Sequence, residues 1–128
     1  MKQQTRDAGL ILVGRILLSG IFIVSGLAKI GGYAATQGYM DAMGVPGVLL
    51  PGVIALEVGA GAALLLGLHA RLAAVALALF SVAAGLIFHA DLADQMQRIL
   101  LMKNFAIAGG LLMVAAAGAG RFALRPGS

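Results

Sequence analysis

Apolar residues fall into four long runs, roughly Ala8 to Ile30, Val48 to Gly67, Leu72 to Phe88 and Ile99 to Gly118, separated by short polar stretches. Each is about the 17 to 25 residues that cross a hydrocarbon core as an α-helix, so the pattern predicts four membrane spans. Inside the first run Arg15, Ser19, Phe22, Gly26 and Lys29 recur at steps of three or four residues and share one helical face. That stripe is predicted to point into a bundle. Between the first two runs Thr36, Tyr39, Met40 and Met43 also keep helical spacing, and Gly44-Val45-Pro46-Gly47 breaks the chain before it re-enters the membrane. A short interfacial helix is expected there, either covering the outer mouth of the bundle or gating it. The expected fold is an all-α membrane protein: a four-transmembrane-helix bundle with a short interfacial helix in the first outer loop, residues 1–128 forming one domain.

Composition removes the soluble alternative. Hydrophobic residues make up 61% of the chain and charged residues 11%, against roughly 45–50% and about 25% in soluble domains. Nine basic and five acidic residues are too few to cover a water-facing surface of this size. Glycine- and alanine-rich stretches such as Val58-Gly59-Ala60-Gly61-Ala62 make poor helices in water, yet in a bundle they let backbones approach closely. The same Gly-rich faces allow a homo-oligomer.

The net charge of +4 has a topological explanation. Lys2 and Arg6 precede the first span, Arg71 sits between the second and third, and Arg121 and Arg125 follow the fourth; the opposite connections carry Asp41, Asp91 and Asp94 against Arg98. The positive-inside rule then places both termini in the cytoplasm. The basic residues are scattered singly, with no basic run interleaved with aromatics, so nucleic acid is not an expected partner. The N-terminus shares the layout of a signal peptide, but Arg15 inside its apolar core argues against cleavage. With no cysteine in the chain, thiolate nucleophiles, disulfide relays, iron–sulfur clusters and cysteine-ligated zinc are excluded.

Chemistry is sought in the polar residues at membrane depth, because each costs a few kcal/mol or more and usually faces a partner or a site. Arg15, Glu57 and Lys103 are the clearest. At about 1.5 Å per residue Arg15 lies roughly 10 Å above the cytoplasmic edge and Glu57 roughly 15 Å above it, close enough in depth to pair. Ser25, Lys29, His89, Lys103 and Asn104 lie in the outer half, so polar groups from at least three helices are expected to converge above Glu57. One reading makes Glu57 the neutralising partner of Arg15 or Lys103, has Lys29 snorkel to the outer headgroups, and gives Asn104 an interhelical hydrogen bond. The other makes the cluster a small cationic pocket with one acid, suited to a quinone carbonyl, an anion or a proton relay. His69 and His89 stand about 30 Å apart along the third span, so they do not ligate one metal. His89 beside Asp91 is either half of a surface metal site or an interfacial histidine, and no complete metal site is expected.

Gly14-Arg15, the run Phe22 to Lys29, Glu57 in a glycine-rich second span, and Lys103-Asn104 followed by Phe-Ala-Ile-Ala-Gly-Gly together resemble the DoxX family. The resemblance covers nearly the whole chain, including the four-span layout and the outer loop ending in Gly-Val-Pro-Gly. It implies a small multi-pass protein of the bacterial inner membrane. Some members of the broader DoxX and DoxD-like group are subunits of thiosulfate:quinone oxidoreductase or assemble with oxidative-stress proteins. The motif positions it carries over are Arg15, Ser25, Gly26, Lys29, Glu57, Lys103 and Asn104. The reading that joins both lines is a membrane subunit of a quinone-linked oxidoreductase or redox-stress complex. In it Lys103 and Asn104 contact a carbonyl or anionic oxygen, Glu57 exchanges protons, and the chain is not a self-sufficient enzyme. The cofactor expected is a quinone with no covalent link, and the partners are the lipid bilayer and proteins of a redox complex. A non-catalytic scaffold or assembly factor is the rival reading, and a small-solute transporter the third.

Overall fold

The computed structural model describes residues 2–128 as five α-helices and no strands among the described residues. Helix α1 (Lys2–Gly31) rises through the bundle, α2 (Tyr33–Ala42) lies across its upper end, and α3 (Leu50–Leu66), α4 (Ala70–Phe88) and α5 (Gln95–Ala117) run down, up and down. The 3-10 turn Gly47–Leu49 leads into α3, and with that turn all four long helices are long and apolar enough to span a membrane. The expected four-span bundle with a short extra helix is therefore what the chain forms.

Packing follows the order α1, α3, α4, α5, with α5 returning only lightly to α1. Small residues set the close approaches: a Cβ on Gly26 would lie 2.6 Å from Val58, and one on Gly61 3.0 Å from Ile23. The core is built from Phe22, Leu64, Leu77, Leu111 and the alanines between them. Large apolar side chains such as Leu17, Val24, Leu72, Leu79 and Met113 point outward instead, as lipid requires and water would not tolerate over so large an area. The α1 stripe read from the sequence is the buried face: Arg15, Ser19, Phe22 and Gly26 are all buried.

The two ends are finished differently. At the upper end Asp41 Oδ1 accepts the Gly47 N–H at 2.7 Å, which holds the Gly44–Gly47 bend against α2, while Tyr39 stacks on Phe88 at 5.3 Å. Asp94 caps α5 by accepting the Met96 N–H at 2.9 Å. At the lower end both descending helices finish against an arginine from a neighbour. Arg15 of α1 donates to the carbonyls of Leu64 and Leu65 at the end of α3, both at 3.4 Å, and to that of Phe122. Arg71 of α4 donates to the carbonyls of Ala115 and Ala116 at 3.0 and 2.6 Å at the end of α5. The last turn of a helix presents unpaired carbonyls and partial negative charge, so a guanidinium satisfies both the hydrogen bonds and the dipole. The segment after α5 folds beneath the bundle, Leu124 and Arg125 donating to the carbonyls of Leu66 and Gly67.

Candidate functional site

The upper half of the bundle encloses a cavity of about 460 Å³ between α1, α2, α3, α4 and α5. Its walls are mostly apolar, Ile21, Phe22, Val53, Phe80, Phe88 and Ile107 among them, and polar side chains from α1, α3, α4 and α5 also line it. This is the usual build of a small-molecule site: an apolar body with a few convergent polar groups.

Glu57 sits at its centre on α3. Gly26 makes room for it, since a Cβ there would meet Glu57 Cβ at 3.3 Å. The carboxylate is almost wholly buried, and Lys29 Nζ lies 2.7 Å from Oε1. That contact pairs the buried carboxylate with its cation at charge-assisted distance. The Lys29 ammonium also donates to Ser25 Oγ at 2.7 Å.

Across the cavity Asn104 Nδ2 donates to the Ser81 carbonyl at 3.0 Å, joining α5 to α4. Gly85 permits the approach, a Cβ there standing 3.2 Å from Asn104 Cβ. Interhelical hydrogen bonds of this kind contribute roughly 0.6 kcal/mol in a bilayer, so Asn104→Leu is expected to lower unfolding stability by less than about 1 kcal/mol with the cavity retained. A thermal melt of the purified variant checks this, and a loss several times larger would show that Asn104 holds more than one strut. His89 Nδ1 lies 2.8 Å from Gln97 Oε1 and braces the α4–α5 turn. Lys103 stands exposed at the rim, and neither ion pair among the described residues involves it.

The structure brings some of the residues singled out in the sequence together and separates others. Ser25, Lys29, Glu57, Lys103 and Asn104 do line one cavity, as the outer-half convergence required. Arg15 does not belong to it, and Glu57 is neutralised by Lys29 and not by Arg15 or Lys103. Gly26 faces Glu57 and Val58, eleven residues and about 16 Å of helix above Arg15. The depth estimate failed because it set α1 and α3 on a common lower plane, whereas α1 runs on well below the end of α3. Lys29 does not snorkel: its aliphatic stem turns inward, where Ser25 and Glu57 supply better partners than headgroups do. Ser81 was overlooked although it is the one hydroxyl in the apolar run 72–88, a signal that was available. The histidines lie at opposite ends of α4, and no group of three or more His, Asp or Glu side chains fit for a metal occurs among the described residues.

Comparison with known proteins places these features in a lineage. A family model described as DoxX matches residues 10–90, a stretch that holds Arg15, Ser25, Lys29 and Glu57. The inner membrane protein YqjF of Escherichia coli (strain K12) is 43% identical over 122 residues, covering 95% of this chain and 93% of that protein. No solved structure matches the chain.

Proposed function

Because the chain belongs to the DoxX family and is a multi-pass membrane protein, we propose that it serves in a bacterial inner membrane as the quinone-binding subunit of a redox complex. The observation that carries this is the buried Glu57 carboxylate, paired with Lys29, inside an apolar cavity that also presents the Lys103 ammonium at its rim. A quinone carbonyl needs a donor and a quinol hydroxyl needs an acceptor; Lys103 at the rim offers the first and Glu57 the second. When bound, the quinone supplies two-electron redox capacity. This chain's residues hold the head, exclude water through the Tyr39–Phe88 roof, and keep a proton acceptor at Glu57 with Lys29 balancing its charge. The electrons belong to a protein partner, since the chain has no cysteine and no metal-ligand cluster among the described residues.

The orientation follows from charge. Arg71, Arg121 and Arg125 gather at the lower end, Arg121 donating to Thr5 Oγ1 at 2.8 Å, so that end is assigned to the cytoplasm with both termini, and the cavity to the periplasmic half.

Equilibrium titration of the purified protein in nanodiscs with a short-tailed benzoquinone tests the function. Saturable binding in the micromolar range is expected, weakened about tenfold, or roughly 1.4 kcal/mol, by Lys103→Met. Lys103 is exposed, so its loss leaves the fold intact. No saturable binding to the wild type would sink the proposal. It would leave the rival scaffold reading, which the internal Asn104–Ser81 bond and Lys29–Ser25–Glu57 cluster favour because both groups already have partners within the bundle.

A further inference from the structure

Gly26 and Gly61 bring α1 against α3, α4 and α5 pack along their lengths, and Tyr39 of α2 stacks on Phe88 above the cavity. Helices α1 and α5, by contrast, touch least of the neighbouring long helices. Below the cavity Leu18 meets Gly110 across their seam, 3.5 Å from an added Cβ, and Ile11 meets Gly120 just beyond the end of α5. These helices are antiparallel, so counting up from the Leu18–Gly110 contact puts Ile21 level with Ile107 and Ser25 level with Lys103. All four line the cavity, and Ile21 and Lys103 are also exposed on the outer surface of the bundle. Ile87 of α4 is exposed at the cavity as well, but the α1–α5 seam is the one where such side chains coincide with the loosest packing between neighbouring long helices.

We propose that the cavity is filled sideways from the bilayer through the upper α1–α5 gap, and that its occupant is an amphipathic molecule with its head beside Glu57 and its apolar tail passing between Ile21 and Ile107 into the hydrocarbon. The proposal rests on the cavity being a ligand site and adds where the ligand comes from and what else it must carry. Two magnitudes support it. A volume of about 460 Å³ lies toward the low end of the roughly 300–1,000 Å³ of small-molecule pockets, which is room for a ring-sized head and not for a long polyprenyl tail. Lys103 stands about 6 Å below Ile99, where the apolar span of α5 begins, at 1.5 Å per residue, and an ammonium below the hydrocarbon edge is drawn toward an oxygen-bearing partner. A polar head in the mouth of the gap gives that ammonium the ion or hydrogen-bond partner it lacks among the described residues.

The chain contains no tryptophan, so a single introduced one is a clean reporter. Ile107→Trp in nanodiscs is expected to be quenched strongly by phospholipids brominated in their acyl chains and weakly by acrylamide; the reverse pattern would overturn lateral opening. Binding is then measured with decyl-dimethoxy-methyl-benzoquinone and with the same ring lacking the tail, both as lipid-phase concentrations. The wild type is expected to bind the tailed form at least tenfold more tightly. Filling the gap with Ile21→Trp and Ile107→Trp together should abolish that advantage, so that the tailed form binds no more tightly than the tail-less ring, whereas Val24→Trp, on the lipid-facing side of α1, should leave the advantage as in the wild type. Undiminished preference for the tail in the filled variant would refute entry through this gap while the site itself stood. Failure of both quinones on the wild type would remove the site and the proposal with it. If the double variant does not fold, the quenching pattern of Ile107→Trp alone decides.

Discussion

Replacing Arg15 by leucine is expected to cost about 2–4 kcal/mol of stability and to free the segment beyond Ala117 from the bundle. The guanidinium is fully buried and is the only donor reaching the carbonyls of Leu64, Leu65 and Phe122 from α1. Leucine fills much of the volume but takes the side-chain donor from the Leu65 and Phe122 carbonyls, while Leu64 keeps the Gly67 N–H and Leu66 that of Leu124, and each unsatisfied buried group costs about 1–3 kcal/mol. It also removes the cation that balances the C-terminal dipole of α3. Arg15→Lys should recover little. A single ammonium keeps the charge but lacks the planar fork that reaches α3 and the tail at once. Gly67 shows how tightly this joint is built: its φ of +73° belongs to glycine, and a Cβ there would run into Ala123 and the Arg15 guanidinium. Thermal unfolding in detergent, with protease sensitivity of the last ten residues, reads both effects. A wild-type melting curve for Arg15→Leu, or full recovery with lysine, would show that the joint does not depend on the fork.

That arginine also marks where sequence reasoning stops. The period of three and four put Arg15, Ser19, Phe22 and Gly26 on the buried face of α1, because a helix carries its facing residues at fixed angles whatever surrounds it. The same regularity made the four spans and α2 legible. Depth was not legible, since it depends on how far one helix slides along another. The slide is set by where Gly26 and Gly61 let α1 and α3 touch, and a sequence full of small residues offers many such registers. The tail after Gly118 carries no period at all, so nothing in it announced that Phe122, Leu124 and Arg125 would tuck under α3. The candidate site was legible as a list of polar residues and not as a set of partners. Lys29, near the end of its helix, reads from sequence like any snorkelling lysine, and only the position of Glu57 one turn below and across from it turns it inward.

The Lys29–Glu57 pair should respond asymmetrically when its members are removed one at a time. The Lys29 side chain is 26% exposed and that of Glu57 2%. In Glu57→Gln the stranded ammonium sits on a long flexible stem near the upper end of α1 and can swing out to the headgroups, so the expected loss is about 1 kcal/mol. In Lys29→Met the carboxylate is stranded on a short stem inside the bundle, from which it cannot reach the headgroups. Removing one partner of a buried pair in this way costs roughly 3–5 kcal/mol. The double variant Lys29→Met, Glu57→Gln carries no charge and should be close to Glu57→Gln in stability, which makes the coupling energy of the double-mutant cycle large. Thermal unfolding of the three variants and the wild type measures it directly. Equal losses for the two single variants would mean that Glu57 reaches solvent or lipid headgroups as easily as Lys29 does, and the dry acceptor on which the site is built would then not exist. Quinone binding separates fold from function in the same set. Glu57→Gln is expected to remain folded and to bind the reduced form more weakly, because an amide is a poorer acceptor than a carboxylate for a quinol hydroxyl.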